Sequence, residues 1–277
     1  VILPCVLDIP AVEYHADPLA GMGGSMSSTT ARHILAPGCP ALVQWESSHP
    51  VHKDVYDVGT VAHRLTLGAG AEIVEVQADD WRSKAAKDAR ATARDGGRVA
   101  LLTAALRECE DMAIAVHADR FAGALLAPGT GVPERSVFWA DPVAGVNRRA
   151  MFDWLPDGPG RPIGVDLKTT PSAAPKHIRK SIVDYGYHQQ AAWYLDGMRA
   201  VGFEDPAFLF VFVEKTPPYL VTVVELDDAA LREGDYRNAQ AMEDWAECKA
   251  TGEWPGYTND IVLIGLPQWA ITDTERY

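Results

Sequence analysis

Asp153 sits in the apolar run Met151-Phe152-Asp153-Trp154-Leu155, and thirteen positions later comes Val165-Asp166-Leu167-Lys168-Thr169-Thr170. Carboxylates are hard oxygen ligands suited to Mg²⁺ or Mn²⁺. A cation held by two of them can activate water and neutralise charge on a phosphoryl oxygen. A lysine two residues after such a ligand can orient the nucleophile or stabilise developing negative charge. A bare D-x-K is usually a surface hairpin with solvated charges. An aspartate, a turn, then D-x-K inside an apolar strand is more specific.

The spacer must position these groups. Pro156-Asp157-Gly158-Pro159-Gly160-Arg161 is almost all turn former, so the two runs read as a β-hairpin. A hairpin brings Asp153 toward Asp166. Alternation puts Asp166 and Lys168 on one face and Val165 and Leu167 on the other.

Other elements must carry the rest. The pattern predicts helices near 27–35, ended by Pro37-Gly38, then 59–65, 80–95, ended by Gly96-Gly97, and about 100–117. Otherwise residues 1–50 read as loop-rich. Strands are predicted at 72–76, 136–139, 148–155 and 162–168, and helices at 174–183 and 186–201. Ala207-Phe208-Leu209-Phe210-Val211-Phe212-Val213 is apolar on both faces, as a central strand is. A strand over 219–226 and a helix over 228–250 follow. This order argues an α/β (α+β mixed) fold, a mixed sheet with helices on its faces. On the helix over 186–201, Gln190 and Tyr194 share a face, with Tyr187 one turn earlier. Beside an acidic site such groups could touch a phosphate backbone. An amphipathic helix with an aromatic stripe is the plainer alternative. His63 and Glu134 are upstream groups able to complete a metal shell.

The 277 residues are 47% hydrophobic and 23% charged, ordinary for a globular protein with a substantial core. No apolar run approaches the roughly 20 residues that span a membrane, and the start lacks the basic region of a secretory signal. Its lack of Met suggests processing or trimming. Cys5, Cys39, Cys109 and Cys248 are scattered, which favours free thiols in a reducing cytoplasm over disulfides or zinc. A net charge of −13 argues against general nucleic-acid affinity, though not against a local basic track. Lys84, Lys87, Arg90 and Arg94 form one helix face, for which solvation is the plainer reading. Lys176, Arg179 and Lys180 lie near the D-x-K run and read as phosphate contacts. Gly23-Gly24-Ser25-Met26-Ser27 misses the G-x-S-x-G elbow, so a serine hydrolase is not indicated.

Seven segments appear in one order: Gly59 to His63, Glu134 to Trp139, Arg149 to Leu155, Val165 to Thr170, Tyr185 to Gly197, Glu214 to Tyr219 and Thr251 to Tyr257. Together they resemble the exonuclease VIII (RecE-like) branch of the PD-(D/E)XK nucleases of phages and prophages, over about residues 8–270. The resemblance implies a restriction-endonuclease-like core, a central mixed sheet flanked by helices. It implies one nuclease domain over 1–277, with an N-terminal helical, loop-rich portion (about 1–125) and a catalytic core (about 126–270). It implies a Mg²⁺-dependent exonuclease, with Mn²⁺ able to substitute, degrading linear double-stranded DNA from 5′ ends in phage or prophage recombination. Asp153, Asp166 and the Leu167 carbonyl would then hold metal, together with His63 and Glu134. Lys168 would be the catalytic lysine, and Gln190 and Tyr194 would flank the site. Met151-Phe152 stands where a basic residue, often with proline, is expected, and Arg148 and Arg149 would supply the DNA contact instead. The resemblance further implies a toroidal homo-oligomer, trimer or tetramer, a single-strand-annealing recombinase as partner, and a bacterial cytoplasmic setting. Related enzymes with an iron–sulfur cluster carry a C-terminal cysteine group. Only Cys248 lies there, so no cluster is expected. The alternatives are an endonuclease of the same fold and a DNA-end-binding protein without catalysis.

Overall fold

The computed structural model describes residues 2–49, 55–158 and 160–271. In chain order the elements are β1 (Cys5–Leu7), α1 (Ala11–His15), β2 (Met26–Ser27), α2 (Ser28–Ile34), α3 (Pro40–Ser48) and α4 (Val55–Leu67). Then come β3 (Ile73–Val76), α5 (Lys84–Asp95), β4 (Val99–Leu102), α6 (Thr103–Ala118) and α7 (Ala122–Leu125). The last are β5 (Gly131–Ala140), β6 (Asn147–Pro156), β7 (Ile163–Thr170), α8 (Pro175–Asp184), α9 (Tyr187–Ala200), β8 (Ala207–Glu214), β9 (Val221–Glu225) and α10 (Asp228–Thr251).

The main sheet runs β1-β5-β6-β7-β8-β9, with β2 added in parallel along β6. β7 and β8 are parallel, while β5–β6, β6–β7 and β8–β9 are antiparallel, so the sheet is mixed as expected. A separate parallel pair, β3–β4, lies beside α5. Alternation along β8 sends Phe208, Phe210 and Phe212 into one core and Val211 and Val213 into another. The first core joins the sheet to α2, α9 and α10 through Trp193, Met198 and Ala241. The second joins it to α4 and α6 through Val61, Met112, Val165 and Leu167. The sheet is thus clad on both faces, which is why β8 reads as a continuous apolar run.

Local chemistry explains the ends. The Ser27 hydroxyl accepts from the Thr30 amide to start α2, Ser83 does the same for α5, and Asp227 for α10. The first fifty residues depart from the loop-rich expectation. They hold α1 and α3, and they lend β1 and β2 to the main sheet. Pro40 is the first residue of α3, where its missing N–H is harmless, so it opens a helix instead of closing one. Strands as short as β1 and β4 exist only through partners far along the chain, β5 and β3. No helix among the described residues is long and apolar enough to cross a membrane.

The α9–α10 contact fixes the depth of α9 over the sheet. Asn238 donates to the Gln189 carbonyl at 3.0 Å, and a Cβ at Gly234 would lie 2.2 Å from the His188 carbonyl oxygen. Gly→Ala inside an isolated helix gains about 1 kcal/mol. At Gly234 the backbone clash reverses that sign. Gly234→Ala should lose about 1–3 kcal/mol, read as a lower denaturant midpoint. A midpoint unchanged or raised would contradict the close crossing.

Candidate active site

The β6–β7 hairpin forms, but its ladder stops at the acids. Trp154 pairs with Val165, and the next step of that antiparallel register sets Asp153 opposite Asp166, where no further pair is made. An unpaired strand amide in the interior needs another acceptor. Asp153 supplies it: the Leu167 N–H donates to Asp153 Oδ2 at 2.7 Å. The Asp153 side chain thus occupies the seam between two strands, and Asp166 faces it from the other side. Val165 and Leu167 point into the α4–α6 core, as alternation predicts.

Each acid has a basic or amide neighbour from a different layer. His63, on α4, places Nδ1 3.3 Å from Asp153 Oδ2. Lys168 Nζ lies 2.6 Å from Asp166 Oδ2, and Gln190, on α9, donates to Asp166 Oδ1 at 2.5 Å. Lys168 Nζ also sits 5.0 Å from the centre of the Tyr187 ring, which packs on Phe210 and Phe212. The Tyr194 hydroxyl donates to the Met151 carbonyl at 2.8 Å, tying α9 to β6 one step before the seam. Tyr194 is buried and holds the strand, so its hydroxyl is not a surface contact for phosphate.

Burial pushes the Asp153 carboxyl up to about 6, against the pull of His63, and the nearby Asp166 charge adds to the rise. Burial also opposes the Lys168 ammonium, yet Asp166, Tyr187 and Asp153 together outweigh it and hold its pKa above the ordinary value. Glu134 lies inside β5, not ahead of it, with a left-handed φ of 52°. Flanking pairs Pro133–Trp154 and Arg135–Phe152 set it opposite Asp153. Burial raises its pKa, while His63 and Arg64 pull it down. A left-handed glutamate in a strand is a strained backbone of the kind that gathers at functional sites.

The basic residues divide. Arg148 and Arg149, expected as DNA contacts, are instead internal. Arg148 is 3% exposed, bonded to Asp196 at 3.0 Å and stacked 3.9 Å from the centre of the Trp193 ring. Arg149 bonds Asp17 and the Ser25 carbonyl, each at 3.0 Å. As adjacent residues of β6 they point to opposite faces, and both faces are covered, Arg148 by Trp139 and Trp193 and Arg149 by Tyr14 and Asp17. Lys176, Arg179 and Lys180 are exposed on α8, two residues of turn before α9, and Lys180 pairs with Asp184. On α5, Lys84 and Lys87 are exposed, whereas Arg90 covers Trp81 and Arg94 bonds the buried Asp57 at 3.0 Å.

Sequence reasoning missed two supports. Gly70, at a φ of 113°, lies so close to Glu134 that a Cβ there would meet Glu134 Oε1 at 2.7 Å. Arg32 donates to the Tyr185 carbonyl and bridges α2 to the turn that starts α9. Neither leaves a sequence signal, since both are contacts across long separations.

Among the described residues no three or more His, Cys, Asp and Glu side chains are grouped closely enough to hold a metal. The seam still fits a hard cation. Asp153 and Asp166 are two opposed carboxylates, an oxygen donor set, and buried Asp166 Oδ2 has the Lys168 ammonium 2.6 Å away.

Three comparisons bear on this geometry. A solved candidate exonuclease from Eubacterium rectale shares the fold, with a TM-score of 0.64 over 94% of this chain and 97% of its own, at 14% identity. The alkaline exonuclease LHK-Exo of Laribacter hongkongensis matches 72% of this chain and 96% of its own at 16% identity, but its TM-score of 0.27 carries no weight. No curated protein matches the chain. The model of the PDDEXK-like domain of unknown function DUF3799 matches residues 36–265. These residues hold the split hairpin with His63, Glu134, Tyr187, Gln190 and Tyr194. The chain therefore belongs to that PDDEXK-like family and has the PD-(D/E)XK nuclease fold.

Proposed function

We propose that the chain is a single-domain, divalent-metal-dependent nuclease that uses Mg²⁺, or Mn²⁺ in its place, to hydrolyse linear double-stranded DNA from 5′ ends. The observation that carries this reading is the split hairpin: Asp153 and Asp166 face each other, and Lys168 pairs with Asp166 Oδ2 at 2.6 Å. Asp153, Asp166 and the Leu167 carbonyl would hold the cation, with His63 and Glu134 adjoining. When bound, it would neutralise phosphoryl charge and lower the pKa of a water.

The chain's own groups account for the remainder. The Asp153 hold on the Leu167 amide keeps the strands apart, and Gln190 fixes the plane of Asp166. Lys168 stays cationic and is positioned to stabilise charge on the attacked phosphate. Lys176 and Arg179, one turn apart on α8, offer exposed charge to the DNA backbone on an otherwise acidic chain. By family likeness the setting is phage or prophage recombination, the assembly a ring of three or four copies, and the partner a single-strand-annealing recombinase.

Lys168→Ala and Asp166→Asn should each lower digestion of linear duplex in Mg²⁺ by at least about 10²-fold with an unchanged circular dichroism spectrum. Label should leave 5′ ends first, and closed circles should survive. Full digestion by both variants would end the assignment, and cutting of closed circles would favour an endonuclease.

A second expectation concerns metal-free protein in chelator. The folded-state pKa of Asp153, about 6, lies above its unfolded value near 4. Folding is therefore unpenalised below about pH 4, loses stability as pH rises from about 4 to about 6, where only the unfolded state has released the proton, and carries a constant penalty above about pH 6. Asp153→Asn should exceed the wild type by about 3 kcal/mol near pH 7.5, with the gap closing toward pH 4. A gap independent of pH would contradict the buried-charge account.

A further inference from the structure

Both oxygens of Asp166 already have donors from the chain itself. Gln190 donates to Oδ1 at 2.5 Å, and the Lys168 ammonium lies 2.6 Å from Oδ2. This carboxylate can therefore hold a cation only where one of the two donors yields. Gln190 is neutral, whereas Lys168 carries the same sign of charge as a cation at Asp166 or Asp153 and is repelled by it. The Lys168 side chain is 21% exposed, so water is open to it once the ion pair weakens. A group other than a carboxylate must then keep the ammonium at the seam.

Tyr187, the first residue of α9, is the neighbour placed to do this. Its ring centre is 5.0 Å from Lys168 Nζ, inside the range of a cation–π contact. The ring is held from behind. Register sets Asp166 beside Phe210 and Lys168 beside Phe212 on the parallel strands β7 and β8. The Tyr187 ring packs on both phenylalanines, with centres 5.4 and 5.9 Å apart. Gly186, at a φ of 64°, turns the chain into α9, and Arg32 donates to the Tyr185 carbonyl one residue earlier. A ring face attracts an ammonium, while hard cations take oxygen ligands, so the two contacts do not compete.

We propose that Tyr187 is a positioning residue that keeps the Lys168 ammonium at the seam when Asp166 changes from ion-pair partner to metal ligand. Lys168 thus has two partners, the carboxylate in the absence of metal and the ring face with or without it. This role rests on the nuclease reading and adds the group that holds its lysine.

Lysine labelled at Cε gives a readout that needs no DNA, with the Lys168 signal identified by its loss in K168R. The ring current of Tyr187 should move the ε-proton signal of Lys168 upfield of the ordinary lysine position, in chelator and in saturating Mg²⁺ alike. Y187L should return it to the ordinary position, and Y187F should keep it upfield. On linear duplex in Mg²⁺, Y187L should lower kcat about 10-fold with KM little changed, and Y187F should recover most of that loss. Phenylalanines of rising fluorination at position 187 weaken the ring quadrupole at nearly constant size, so kcat should fall step by step along that series. An unshifted Lys168 signal, a shift that Mg²⁺ abolishes, or a flat fluorination series would overturn this role, while digestion by the wild type keeps the nuclease reading standing. A wild type that leaves linear duplex intact would end both.

Discussion

One hydrogen bond organises this site: the Leu167 amide donates to a side chain, Asp153, where a sheet would ordinarily supply a backbone carbonyl. That substitution ends the β6–β7 ladder after Trp154–Val165 and leaves a gap between two strands that are otherwise neighbours. Both acids stand at that gap. Were the ladder to continue, Asp153 and Asp166 would be a cross-strand pair of like charges, which is unfavourable. The seam instead gives each acid a basic partner, His63 for Asp153 and Lys168 for Asp166.

The surrounding layers exist to tolerate the arrangement. Buried charge is acceptable only when it is paired and hydrogen-bonded. From the α4 face His63 approaches Asp153, and from the α9 face Gln190 and Tyr187 surround Asp166 and Lys168. Helix α9 is in turn held by Asn238 of α10, by the Arg32 link from α2, and by Tyr194 on the Met151 carbonyl. The positions of all of these depend on β8, whose two apolar faces anchor both helical layers. The pKa of Asp153 stays raised because its burial outweighs the pull of His63, Lys168 and the Leu167 amide.

Much of this was legible in the residues because period and punctuation agreed. The turn formers between Leu155 and Pro162 announced the hairpin, and alternation put Lys168 on the face opposite Leu167, which the structure turns toward α9 and the α4–α6 core respectively. The i, i+4 pair Gln190 and Tyr194 lay on one helix face, although only contacts across the fold gave Gln190 to Asp166 and Tyr194 to Met151. What the residues hid was long-range. Arg148 and Arg149 read as a basic dipeptide available to DNA, yet β2 and β5 enclose their strand and send them onto Asp196 and Asp17. Glu134 read as a residue ahead of a strand, because nothing local reveals a left-handed position within β5. The first fifty residues read as loop because their short strands acquire structure only from β5 and β6.

The claim on which the account turns is that the seam holds a divalent cation between Asp153 and Asp166. The most direct measurement is an anomalous difference map from crystals of the protein saturated with Mn²⁺. The account predicts a peak in contact with both carboxylates, with the Lys168 ammonium outside its coordination shell, and no such peak in Asp166→Asn crystals. Saturated wild-type crystals with an empty seam, or with manganese bound only elsewhere, would contradict it.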